Sequence, residues 1–72
     1  MTILITILIE GHLDRDWTDW LDGLSITHHP DGTTQIHGTL PDQSALYGVL
    51  LKLRDLGISL ISVEHYPEKH NS

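Results

Sequence analysis

Isoleucines at positions 3, 5, 7 and 9 alternate with Leu4, Thr6, Leu8 and Glu10, the two-residue period of a β-strand. One side of this segment is wholly aliphatic, and Leu4 and Leu8 make the other partly so. A strand apolar on both sides is expected near the centre of a sheet. Residues 11–14 break the pattern, and Asp14 or Asp16 can cap a short helix. Trp17, Trp20 and Leu21 then recur at helical spacing, and Gly23 suits a left-handed stop. Such a helix has only about two turns. It is unstable alone, so the two indoles are expected to hold it against the sheet.

Alternation resumes at Leu24, Ile26 and His28, with Ser25, Thr27 and His29 on the opposite side. Pro30-Asp31-Gly32 reads as a turn, and residues 33–40 as the returning strand of a hairpin. On that strand Thr34, Ile36, Gly38 and Leu40 share one side; Thr33, Gln35, His37 and Thr39 share the other. Pro41 ends the strand and Asp42 caps a longer helix. Leu46, Val49, Leu50, Leu53 and Leu56 form its apolar stripe, with Ala45 nearby. Gly57 closes it, and Lys52 and Arg54 suit the negative end of its dipole. Tyr47 and Leu51 fall off the stripe and are expected to be exposed. Residues 58–64 read as the last strand, and those from His65 onward, with Pro67, as a polar, frayed tail.

The order is β-α-β-β-α-β, that of a ferredoxin-like α+β sandwich: a four-stranded antiparallel sheet with two helices on one face. The expected unit is a single domain over residues 1–66 with a tail at 67–72. The strand order 4-1-3-2 would place residues 3–10 and 33–40 at the centre. The uncovered face would carry Thr27, His29, Gln35, His37 and Thr39 on one half. Its other half would carry Leu4, Leu8 and one side of the last strand, either Ile58 and Leu60 or Ile61 and Val63.

Seventy-two residues give a small core, and no cysteine is present to staple it. Small unstapled domains often gain stability by self-association. Ten acidic residues against four basic ones leave a net charge of −6, which repels phosphate backbones and anionic lipid. Neither nucleic acid nor a membrane is therefore an expected partner. The apolar run at residues 3–9 is far shorter than the ~20 residues that cross a bilayer. No basic residue precedes it and no small-residue cleavage site follows it, so the expected location is cytoplasmic.

Six histidines raise the question of a metal. His29 and His37 both alternate outward on the hairpin and are weak candidate ligands, but zinc needs three or four oriented ligands. The spacing offers no complete set, and no cofactor is expected. Asp14-Arg15-Asp16 begins like a calcium loop but continues into Trp17 and Thr18. Trp17 and Trp20 could stack on a sugar or base, although anchoring their own helix is the simpler role. There is no nucleophile elbow and no glycine-rich phosphate loop.

Two stretches carry a resemblance. Trp17-Thr18-Asp19-Trp20-Leu21-Asp22-Gly23-Leu24 fits W-x-x-W-[FL]-D-G-L. Asp42-Gln43-Ser44-Ala45-Leu46-Tyr47-Gly48, with Arg54-Asp55-Leu56-Gly57, fits D-Q-x-A-L-x-G followed by R-D-L-G. With Asp31-Gly32-Thr33-Thr34, they resemble a family of very small uncharacterised bacterial proteins. The resemblance implies no activity and transfers no catalytic residue.

The expected function is a non-enzymatic, self-associating protein-interaction module, a homodimer or higher oligomer that can also engage another protein. Leu4, Leu8, Tyr47 and Leu51 are its candidate contact residues. The alternatives are a small-molecule binder or small enzyme with a site between sheets, and a weak transition-metal binder through His29 and His37.

Overall fold

A computed structural model describes residues 2–13, 21 and 23–68. Strand β1 (Ile3–Glu10) and strand β3 (Thr33–Leu40) form the centre of a four-stranded antiparallel sheet. Strand β2 (Ser25–His28) flanks β3, and strand β4 (Leu60–Pro67) flanks β1, giving the order β2-β3-β1-β4. Helix α1 (Gln43–Asp55) joins β3 to β4. The architecture is α+β, with one helix among the described residues. The short helix expected around Trp17 and Trp20 falls at positions 14–20, outside them.

The alternation in β1 does what it predicts. Ile3, Ile5, Ile7 and Ile9 are buried, whereas Leu4 is exposed and Thr6 and Leu8 are half-buried. Ile36 and Leu40 from β3, Leu24 and Ile26 from the β2 arm, and Leu46, Val49 and Leu53 from α1 complete the core. Leu13 and Leu21 are buried with them. Each fully buried aliphatic side chain contributes roughly 1.5–3 kcal/mol.

Both ends of α1 follow from their residues. The Asp42 carboxylate accepts from the Ala45 N–H at 2.9 Å, satisfying one of the free amides of the first turn. At the other end, the Ile58 N–H donates to the Leu53 carbonyl and the Gly57 N–H to that of Arg54. That double reversal requires a left-handed residue, and Gly57 supplies it at φ 74°. Leu56, expected on the apolar stripe, is instead 39 % exposed, because it lies at the cap, after the last helical residue.

The same reversal shifts the last strand. Residues 58–64 were expected to form it, but the Ile58 amide is committed to Leu53, and β4 runs over Leu60–Pro67. His65 and Tyr66, expected in a frayed tail, pair with Ile5 and Leu4. Beyond the strand, the Glu68 N–H donates to the Thr2 carbonyl at 3.0 Å, and the Thr2 hydroxyl donates to the Glu68 carboxylate at 2.6 Å.

Candidate functional site

The sheet face away from the core is built by the register of its strands. Leu4 lies opposite Thr39 and Tyr66, Thr6 opposite His37 and Glu64, and Leu8 opposite Gln35 and Ser62. Directly opposed residues share a face. The open face is therefore mostly polar, with Leu4, Leu8 and Tyr66 as its apolar members. Neither apolar pair expected from the last strand reaches it. Val63 pairs with Ile7 on the inner side, and Ile58 packs on the core from the turn. A bulge between Leu8 and Ile9 resets the β1–β4 register from Ser62 to Leu60, so that Leu60 lies opposite Ile9 of the inner side.

The candidate metal ligands do not meet. The His29 Nε2–H donates to the Gln35 side-chain oxygen at 3.0 Å, and His37 Nε2 lies 3.4 Å from the Thr27 hydroxyl. They sit four rungs apart along the hairpin, roughly 13 Å by strand rise. Among the described residues no three histidine, aspartate or glutamate side chains converge as a metal site. A different histidine pair does come together. His12 and His28 stack with ring centroids 4.7 Å apart and planes 22° from parallel. His28 Nε2 donates to the Leu13 carbonyl, and His12 Nε2 lies 3.4 Å from that of His29.

Buried Thr34 fastens the same loop. Its hydroxyl donates to the Gly11 carbonyl at 2.7 Å and lies 3.3 Å from the Leu13 amide. Asp31 shapes the hairpin turn by accepting from the Thr33 hydroxyl at 2.6 Å and the Thr33 amide at 3.0 Å. These two bonds, the hydroxyl's first, hold the Asp31 carboxyl below the usual aspartate range. On the open face the Tyr66 hydroxyl donates to Glu64 at 2.7 Å, and that bond, reinforced by the carboxylate's charge, pushes the phenol up.

Two clefts flank these features. One, of about 580 Å³, lies between the start of α1 and the β1–β4 pair and is lined by Ile3, Asp42, Gln43, Ser44, His65 and Pro67. The other, about 370 Å³, lies beside the hairpin turn, where Leu8, His29 and Gln35 contribute. In the first cleft the Asp42 carboxylate is engaged by the Ala45 N–H as the cap of α1.

The apolar side chains that remain in water concentrate elsewhere. In β4 every residue except half-buried Val63 is exposed, including Leu60 (43 %), Ile61 (52 %) and Tyr66 (56 %). Leu4 next to it is 43 % exposed, and on α1 Tyr47 and Leu51 are 59 % and 50 % exposed. Of the expected contact residues, Leu4, Tyr47 and Leu51 are thus free to make contacts, and Leu8 is half-buried. The sequence offered Leu60 or Ile61 as alternatives, not both, and it missed Tyr66 because it ended the strand at Glu64. Among the described residues no helix is long and apolar enough to cross a membrane.

Searches among curated proteins and among solved structures found no match. A family model described as "Domain of unknown function (DUF8691)" matches residues 4–64, which span β1 through Glu64 of β4. The chain belongs to that family.

Proposed function

We propose that this protein is a non-enzymatic interaction module that works by self-association. The observation that carries the reading is the exposure of β4. An eight-residue strand at the edge of the sheet leaves Leu60, Ile61 and Tyr66 in water, with Leu4 beside Tyr66. Leu60 and Ile61 lie at one end of the strand and Tyr66 with Leu4 at the other, and an unpaired edge is itself a template for another chain. The fold is read as ferredoxin-like. The order β2-β3-β1-β4, all antiparallel, and the α1 crossover from β3 to β4 support that reading. A second helix between β1 and β2 would complete it.

Native mass spectrometry of untagged protein tests this. The reading expects a multiple of the 8.1 kDa chain carrying neither metal nor small molecule. A monomer that retains a bound small molecule would replace it with the ligand-binding alternative.

A further inference from the structure

We infer that the self-contact is an edge-to-edge pairing of β4 with β4 of a second copy, antiparallel and centred on Val63; this rests on the self-association reading. Antiparallel rungs alternate between hydrogen-bonded and non-hydrogen-bonded pairs. The Glu68 N–H bonds the Thr2 carbonyl, so in the continuing register Tyr66, Glu64 and Ser62 direct their backbone groups toward β1. Those of Val63 and His65 then point outward. Pro67 falls in the outward set, where its missing N–H costs the β1–β4 ladder nothing but blocks pairing beyond it. The bulge opposite Ile9 bounds the other end. Between them lies a short free edge without the lysine that commonly guards such edges.

A second copy fits this edge. Two-fold antiparallel pairing is self-complementary, and closed two-fold symmetry is the commonest homo-oligomeric arrangement. Charge permits it in a chain of net charge −6: of residues 61–65 only Glu64 is acidic, and pairing centred on Val63 sets it opposite Ser62 and not opposite a second carboxylate. The register follows by elimination: centring on Ser62 would set His65 opposite Ser59, which lies before the start of β4. Centring on Glu64 would set Glu64 against itself, a destabilising like-charge pair. Centring on His65 would bring Pro67 into a hydrogen-bonded rung opposite Val63. Centring on Val63 pairs Ile61 with His65 of the other copy and Ser62 with its Glu64, and it uses both outward residues.

Because the chain has no cysteine, single cysteines report the register directly. Ser62 and Glu64 are both exposed, so Ser62→Cys and Glu64→Cys leave the core intact. In the Val63-centred pair, position 62 of one copy lies about 4.5 Å (Cα–Cα) from position 64 of the other, within disulfide range. Identical positions lie roughly 8 Å apart, beyond it. Oxidation of a co-refolded mixture should give covalent dimer joining the two variants, with none from either alone. Cross-linking of Glu64→Cys or Ser62→Cys with itself would overturn the register. No cross-link in any sample, with a wild type that still sediments as a dimer, would overturn edge pairing while leaving self-association standing. A monomeric wild type would overturn both.

Discussion

Gly38 and Leu24 stand so close that a Cβ on Gly38 would lie 2.9 Å from Leu24 Cδ2. Gly38 also has φ 154°, outside the range that side chains readily adopt. The glycine is thus required twice, by its own backbone and by a core neighbour that is 1 % exposed and has little room to move. Gly38→Ala should cost about 2 kcal/mol or more, since overpacking and backbone strain each contribute roughly 1–3 kcal/mol. Urea denaturation measures this, and an unchanged midpoint would show that Leu24 repacks freely.

Acid should act on the hairpin turn through Asp31. Its carboxyl titrates below the ordinary aspartate value because Thr33 donates to it from hydroxyl and amide. A depressed carboxylate stabilises the fold at pH above its unfolded pKa, and that contribution is lost as pH falls through the lower folded value. Carbon-detected NMR should give Asp31 a midpoint below the usual range that rises in Thr33→Val. An identical midpoint in the two proteins would remove the hydroxyl as the cause.

Stoichiometric zinc at pH 7.5 should leave the melting temperature unchanged. His29 and His37 each have a partner across the hairpin and do not approach one another. A saturable rise in melting temperature that disappears in His29→Ala or His37→Ala would restore the metal-binding alternative, because a ligand that binds only the folded state must stabilise it.

What the sequence made legible was what local period and turn chemistry control. The isoleucine alternation gave the core side of β1, Pro30-Asp31-Gly32 gave the hairpin, and Asp42 and Gly57 gave the ends of α1. The central positions of β1 and β3 also followed. The last strand was misread at both ends for physical reasons. Ile58 looks like strand, yet its amide closes the helix. Pro67 looks like a terminator, yet at an outward-facing edge position it fits the strand. The His12–His28 stack was hidden because it joins residues 16 apart, at a loop that Thr34 helps to tie down. A polar residue in the inner-facing alternation of β3 was its available sign.

Sedimentation equilibrium of the wild type measures self-association. At tens of micromolar, a working order of magnitude for a micromolar complex, a self-paired β4 gives a species of twice the 8.1 kDa chain mass. Dilution should dissociate it, and Ile61→Lys should shift it toward monomer by placing a charge on the free edge. A single 8.1 kDa species throughout that concentration range would contradict self-association.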